Sequence, residues 1–172
     1  MQFCNYLIPS VKTTIDRSMF FPESELLLKV SMLSDEREAY HNLYNVELSG
    51  VGESFSNYQE RLSLAFDCFV VDIDIPDIEG LTPLGRISKA KIEAINVTDW
   101  FEKQGVKTTC YFSGNKGFHI YVHQSALGIR TPLRAREMSN KVQNALNVLS
   151  SKFGYIDTGI YDATRKIRAF GS

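Results

Sequence analysis

Residues 107–123 read "KTTCYFSGNKGFHIYVH" and decide how the second half of the chain folds. Two segments rich in β-branched and aromatic residues, 107–113 and 117–123, flank the short polar segment "GNK", a pattern typical of a hairpin. We therefore predict two antiparallel strands joined by a tight loop. Alternation along the second strand places His119 and Tyr121 on one face and apolar residues on the other.

The patterns on either side of this hairpin predict an alternating order of strands and helices. The apolar segment 64–74 predicts a strand before it. Segments 83–105 and 132–154 carry apolar residues at spacings of three and four, which predicts one amphipathic helix on each side of the hairpin. The last segment, 165–172, is extended. The order β-α-β-β-α-β is that of the ferredoxin-like or RNA-recognition-module fold, an α+β class that hosts many functions.

Each predicted helix has one apolar face for the core. Gly105 and Gly154 are placed where a glycine commonly ends a helix. The residues predicted to be buried are Ile87, Ala90, Ala94, Val97 and Phe101 in the first helix, and Ala135, Met138, Val142, Ala145 and Leu149 in the second.

The first sixty residues give weaker patterns. Segment 21–45 predicts mostly helix, and segment 47–57 is rich in loop-forming residues. We predict one domain over 1–172, in which a smaller N-terminal α/β module (1–60) packs with the module of residues 64–172.

Charge is unevenly distributed along the 172-residue chain. Residues 1–100 carry 8 Lys and Arg against 16 Asp and Glu, a net charge of −8, and residues 101–172 carry 11 against 4, a net charge of +7. A basic half beside an acidic cluster suits a polyanion held near metal ions, although an uneven solvated surface gives the same counts.

Several classes of protein are disfavoured by composition. The longest apolar segment is far shorter than a membrane span, and no secretory signal begins the chain. The three cysteines are widely spaced and form no CxxC pair, so we expect neither a structural zinc site nor a disulfide. We expect Cys68 and Cys110 to be buried thiols. This cysteine usage fits a reducing cytoplasm.

Asp72 and Asp74 follow an apolar segment and share one face of the first predicted strand. Two carboxylates a few Å apart repel by about 4 kcal/mol at an effective dielectric constant of about 20. A divalent cation would offset this cost, and so would solvent at the end of the strand. A turn motif around Pro76 and Asp77 is the structural alternative.

The hairpin loop carries the second set of polar residues. Backbone N–H groups of a tight loop with two glycines can face a phosphate, helped by Ser113 and Lys116. His119 lies beside the loop and is able to donate to an anion. An ordinary hairpin turn with a surface histidine explains the same residues.

The segment "IDTGIYDATRKIRAFGS" (156–172) carries the third set. It offers the acids Asp157 and Asp162. Arg165 and Arg168 suit contacts with phosphate. A charged edge strand is the alternative explanation.

Taken in this order, the three sets resemble the motifs of the archaeo-eukaryotic primase superfamily. The third, D-T-G-I-Y-D-x-x-R-x-x-R-x-x-G-S, is most similar to the primase-polymerase (PrimPol) branch. The resemblance covers about residues 66–172 and implies the AEP primase fold. It also implies that Asp72, Asp74 and Asp157 are catalytic metal ligands for two Mg²⁺ or Mn²⁺ ions. The residues that it assigns to the nucleotide and template are Ser113, Lys116, His119, Arg165 and Arg168; Asp162 is expected to be structural.

The resemblance implies a DNA primase-polymerase, a nucleotidyltransferase that makes or extends primers in DNA replication. The expected partners are a single-stranded DNA template with its primer, deoxy- or ribonucleoside triphosphates, and a helicase domain or other replication proteins. A cytoplasmic prokaryotic, plasmid or phage setting is expected, with no membrane.

Three features depart from the family's pattern. The chain has no Cys/His cluster of the kind that many relatives use to begin a primer, so we expect extension to be more efficient than initiation. Phe170 stands where many relatives have proline. The sequence stops at Ser172, where relatives continue, which indicates a truncated or minimal domain.

Other function classes explain less of the sequence. A non-catalytic RRM-like module for single-stranded nucleic acid would stack bases on Tyr111 and Tyr121, but it gains nothing from three acids. A replication-initiator nuclease needs two histidines one residue apart, whereas His119 and His123 are four apart. A DxD sugar transferase leaves the arginine-rich third motif unexplained.

Overall fold

The computed structural model describes residues 3–11, 14–15, 20–22, 38–42, 45–47, 63–65, 68–128, 133–159 and 166–168. The chain forms two compact units. The first unit comprises Met1–Phe66, Thr131–Met138 and Asp162–Ser172, and the second comprises Asp67–Arg130 and Ser139–Tyr161. The single domain over 1–172, with its modules 1–60 and 64–172, stays a prediction.

The described residues contain eleven strands and two α-helices. In chain order these are β1 (Phe3–Val11), β2 (Thr14–Ile15), β3 (Phe20–Pro22), β4 (Glu38–Asn42), β5 (Asn45–Glu47), β6 (Ser63–Ala65), β7 (Cys68–Ile73), α1 (Pro83–Lys103), β8 (Thr108–Phe112), β9 (Phe118–His123), β10 (Leu133–Arg134), α2 (Ala135–Lys152) and β11 (Lys166–Arg168), with a 3₁₀-helix at Gln124–Leu127. The chain is therefore of the α+β class.

The first unit holds an antiparallel sheet of eight strands. Its order is β10-β6-β5-β1-β4-β11, and β2 and β3 also pair with β1. The prediction of helix over 21–45 is wrong at residues 21–22 and 45, which lie in β3 and β5. Residues 23–37 and 43–44 lie outside the described ones. The prediction is also wrong at residues 38–42, which form β4. Their backbone pairs with β1, with His41 opposite Leu7, and such tertiary pairing overrides a weak local helix propensity.

The second unit holds an antiparallel sheet of three strands in the order β7-β9-β8. This is the arrangement of the first three strands of a ferredoxin-like sheet, with β8 and β9 as the predicted hairpin. The fourth position is taken by the short segment 155–157, which bridges β7 through Ile156 and Ile73. The last extended segment instead contributes β11, which pairs with β4 in the first unit.

The core of the second unit lies on one face of the three-stranded sheet. Phe69, Val71 and Ile73 of β7 are buried there, and so are Ile120 and Val122 of β9. The ring of Phe101 on α1 packs edge-on against Phe69, with the ring centroids 6.5 Å apart. The alternate side chains lie on the opposite face, which carries Asp72 and His119 as well as the buried Val70.

Both predicted helices are present, and their apolar faces are largely confirmed. α1 begins at Thr82, whose Oγ1 accepts a hydrogen bond from the Gly85 N–H at 3.1 Å, as an N-cap residue does. The buried helical residues are Ala90, Ala94, Val97 and Phe101 on α1, and Met138, Val142, Leu146 and Leu149 on α2. Ile87 and Ala145 are only half-buried, and the side chain of Ala135 lies outside the described residues. Leu146, which we did not predict, is fully buried.

The two cysteines of the second unit differ in their exposure from our prediction. The prediction of buried thiols is wrong for Cys110, which is exposed on β8, and Cys68 is half-buried. The residues of β8 from Thr109 to Phe112 are all exposed. Within the described residues, β8 is an edge strand of its sheet and pairs with β9 alone. No helix in the described part of the chain is long and apolar enough to cross a membrane.

Leu146→Ala tests the assignment of the α2 face. Because Leu146 is fully buried, we expect the free energy of unfolding to fall by about 2–5 kcal/mol. Val148, two residues further along, is 65% exposed, and Val148→Ala should change stability by less than about 0.5 kcal/mol. Urea unfolding followed by circular dichroism measures both, and equal effects would contradict the assignment.

Candidate active site

Two carboxylates stand at the end of β7, on the face opposite the core. Val71 and Ile73 are fully buried, whereas the side chains of Asp72 and Asp74 are 17% and 46% exposed. The alternation of the strand therefore directs both acids away from the helices, as the sequence indicated.

Asp157 lies beside these acids because its backbone pairs with β7. The Asp157 N–H donates to the Asp72 carbonyl oxygen at 2.9 Å, and the Asp74 N–H donates to the Tyr155 carbonyl oxygen at 3.1 Å. With Ile156 opposite Ile73, this antiparallel register puts Asp157 opposite Asp72. Side chains of opposite residues project from the same face, with Cβ atoms about 4.5–5.5 Å apart.

The Asp157 carboxylate is itself held by the chain that follows it. Its Oδ1 accepts a hydrogen bond from the Gly159 N–H at 2.7 Å. A side-chain oxygen that accepts from the backbone two residues on forms an Asx-turn, which restricts the orientation of the carboxylate. The predicted third acid is thus part of a local turn as well as of the sheet edge.

On the other side of β7, the strand β9 contributes His119. His119 is opposite Asp72 in the register, and its Nε2 lies 3.8 Å from Asp72 Oδ1. Tyr111 on β8 is in turn opposite His119. Asp157, Asp72, His119 and Tyr111 therefore form one line across the sheet, which we call the central row.

The hairpin loop closes against the end of β7. The Ser113 N–H donates to the Gly117 carbonyl oxygen at 2.9 Å, and the Gly117 N–H donates to Ser113 Oγ at 3.2 Å. Gly114 has a φ of 91°, a conformation that favours glycine. A Cβ atom on Gly117 would lie 2.2 Å from the Ile73 carbonyl oxygen, so the close approach of loop and strand requires glycine there.

This loop also brings a cation to the acids. Lys116 Nζ lies 3.5 Å from Asp74 Oδ2, and both side chains are partly exposed. Each carboxylate of β7 therefore has a basic partner from the hairpin, Lys116 for Asp74 and His119 for Asp72. The positive charge of Lys116 reduces the repulsion between the two acids.

The donor types at this end of the sheet fit a hard divalent cation. Mg²⁺ and related ions prefer carboxylate oxygens, and Asp72, Asp74 and Asp157 provide them from one face. Within residues 68–128 and 133–159, however, no three His, Cys, Asp or Glu side chains converge closely enough to hold a metal ion as they stand. The set of metal ligands stays a prediction.

Aromatic side chains border the central row. The rings of Tyr111 and Tyr121 pack edge to face, with centroids 5.5 Å apart. Burial, with smaller contributions from Tyr111 and Cys68, raises the pKa of Tyr121 to about 12. The Tyr121 phenol therefore keeps its proton, and with it a hydrogen-bond donor, even at a pH where an ordinary tyrosine ionises.

Two residues that we did not predict lie at the same end of the sheet. Tyr155 is opposite Asp74 in the antiparallel register. Lys89 on α1 places its Nζ 4.7 Å from the centre of the Tyr155 ring, a cation–π contact. In the sequence, only the position of Tyr155 two residues before Asp157 indicated that it could lie at the site, because its place opposite Asp74 depends on the pairing of the two segments.

Asp77 of the predicted turn motif forms an ion pair with Arg86.

The described residues do not show the basic side chains of the third motif at the site. Arg165 and Asp162 lie outside the described residues. Arg168 ends β11, where its backbone pairs opposite Tyr40 in the first unit. The assignment of Arg165 and Arg168 to nucleotide or template stays a prediction.

Comparison with known proteins supports the fold. No protein-family model matches the chain, and no curated protein sequence matches it. Its fold is similar to a solved structure described as the polymerase domain from Mycobacterium tuberculosis ligase D in complex with DNA, with a TM-score of 0.52 and 14% sequence identity. The likeness covers 97% of this chain and 57% of that one, so this chain spans little more than half of the length of the polymerase domain.

Gly117→Ala tests the contact between loop and strand. The added methyl group would collide with the Ile73 carbonyl oxygen, so the backbone must shift, and we expect a loss of about 1–3 kcal/mol in the free energy of unfolding. Gly154 has no atom within 4 Å of the corresponding position, and Gly154→Ala should change stability by less than about 1 kcal/mol. Urea denaturation compares the two; a Gly117→Ala protein as stable as the control would refute the close approach.

Proposed function

We propose that this chain is the catalytic domain of a DNA primase-polymerase with the archaeo-eukaryotic primase fold. It would catalyse metal-dependent, template-directed nucleotidyl transfer that makes or extends primers. The central row carries the proposal, because it joins the three motif regions of the sequence on one sheet face: Asp72 from the first, His119 beside the loop of the second, and Asp157 from the third.

The three acids would hold the catalytic metals. A pair of Mg²⁺ or Mn²⁺ ions, when bound, activates an attacking 3′-hydroxyl and stabilises the leaving pyrophosphate. Asp72 and Asp157, directly opposite each other, would supply oxygens from two different segments, and Asp74 would add a third carboxylate from the strand end. A bound divalent cation would offset the mutual repulsion of three carboxylates on one face.

The hairpin would bind the triphosphate. Lys116 and His119 are donors close to the acids, and Ser113 anchors the loop that carries them. Donors that are already in place where negative charge develops stabilise the leaving pyrophosphate without reorganisation. Arg165 and Arg168 would add cations for the nucleotide and the template.

The proposed partners are a primed single-stranded DNA template and nucleoside triphosphates, with a helicase or other replication proteins as wider partners. The polymerase domain of similar fold was solved in complex with DNA, which supports this choice of partner. The net charge of +7 over residues 101–172 supplies basic groups for contacts with phosphates.

A second candidate function is the binding of single-stranded nucleic acid without catalysis. The observation that favours it is the Tyr111–Tyr121 pair, because 41% of Tyr111 is exposed on the face of the central row. Bases stack on such aromatic platforms in RNA-recognition modules. The three acids oppose this reading, since they would repel a phosphate backbone when no metal is bound.

Primer extension by the Asp72→Ala and Asp157→Ala variants tests the proposed function. Each variant loses one carboxylate of the central row, so we expect extension of a primed template with Mn²⁺ or Mg²⁺ to fall by about 10²–10³-fold. Products are resolved on a denaturing gel. Asp99→Ala, which removes an exposed acid of α1, is the matched control and should extend primers like the wild type.

The outcome separates the two candidate functions. Extension that is lost in both variants and kept in the control supports the polymerase. Metal-independent binding of single-stranded DNA that is weakened by Tyr111→Ala, with no extension by any protein, would instead establish the non-catalytic module.

A further inference from the structure

The Asp74 carboxylate at the end of β7 has a counterion from the protein itself. Lys116 Nζ lies 3.5 Å from Asp74 Oδ2, and His119 Nε2 lies 3.8 Å from Asp72 Oδ1. Both basic groups come from the hairpin, whereas Asp72 lies on β7 and Asp74 directly follows it. A divalent cation that approaches Asp74 therefore meets a positive charge already placed at its carboxylate.

The backbone of the loop keeps Lys116 at this place. Ser113 and Gly117 exchange two hydrogen bonds, and Gly117 lies directly against the Ile73 carbonyl oxygen. The lysine side chain, however, is a flexible stem that ends in a compact charge. It is 33% exposed, so its ammonium group can change partners while the loop stays where it is.

We propose that Lys116 is an exchangeable counterion that makes the binding of a divalent cation at Asp74 depend on a bound triphosphate. This inference rests on the proposed function. Without nucleotide, the Lys116 ammonium neutralises Asp74 and repels the metal. A triphosphate offers Lys116 charged oxygen acceptors, with which an ammonium group forms strong hydrogen bonds. Asp74 is then released to bind the metal that arrives with the nucleotide.

The exchange gives Lys116 a role in specificity. The site would select the metal–triphosphate complex over the free metal ion, because only the complex provides a new partner for the lysine. Binding linkage is reciprocal, so the triphosphate strengthens metal binding by the same factor as the metal strengthens triphosphate binding. A structural role of Lys116 would have no such consequence.

Measurement of Mn²⁺ binding to the full chain tests the proposal. Mn²⁺ alone is titrated by electron paramagnetic resonance of the unbound ion. With a non-hydrolysable α,β-imido deoxyadenosine triphosphate present, water proton relaxation enhancement distinguishes protein-bound Mn²⁺ from Mn²⁺ held by the analogue in solution. Neither readout requires turnover.

Lys116→Met should bind Mn²⁺ alone about tenfold more tightly than the wild type, because the repelling charge is gone. The strengthening of Mn²⁺ binding by the analogue should be correspondingly smaller in this variant. Lys116→Arg, which keeps the charge, should stay close to the wild type. Lys107→Met removes the same charge from an exposed lysine at the opposite end of the hairpin and should behave as the wild type does.

Two results overturn the proposal and are distinguishable. If the wild type extends primers but Lys116→Met binds Mn²⁺ alone no more tightly than Lys107→Met, the counterion role is wrong and the proposed function stands. If the wild type neither extends primers nor binds Mn²⁺ with the analogue, the proposed function fails as well. Lys116→Gln, which keeps a polar group at the position, replaces Lys116→Met if urea unfolding shows that the methionine variant does not fold.

Discussion

The candidate site depends on two backbone hydrogen bonds that hold segment 155–157 against the end of β7. They join Asp157 N–H to the Asp72 carbonyl oxygen and Asp74 N–H to the Tyr155 carbonyl oxygen. Because the pairing is antiparallel around Ile73 and Ile156, a shift of one residue would turn Asp157 to the opposite face of the sheet. The register of this short bridge therefore decides whether the third acid stands beside the first two.

The opposite side of β7 obeys a similar constraint. The β8–β9 hairpin reaches the strand end because Gly117 fits against the Ile73 carbonyl oxygen, where a side chain does not. That contact places Lys116 near Asp74, while the pairing of β7 with β9 places His119 near Asp72. Acids from two segments and basic residues from the hairpin thus meet at one end of a small sheet, and backbone pairing positions them.

Much of the second unit was predictable from local patterns. Alternation and helical periodicity indicated β7, α1, the β8–β9 hairpin and α2, because these periods reflect which side chains a core must cover. Local patterns were less informative where partners are distant. The sequence of residues 38–42 predicts a helix, but these residues pair with β1. Cys110 is exposed on β8, which is an edge strand of its sheet within the described residues.

The sequence by itself determined which residues are available for chemistry. Asp72, Asp74, Ser113, Lys116, His119 and Asp157 were identified from spacing and from the resemblance of their motifs. The tertiary structure alone decided which of them meet, since Asp72 and Asp157 are far apart in the chain and their contact depends on strand register. It also paired Lys116 with Asp74, because the approach of a loop to a strand end is set by backbone contact, which no periodicity in a sequence records.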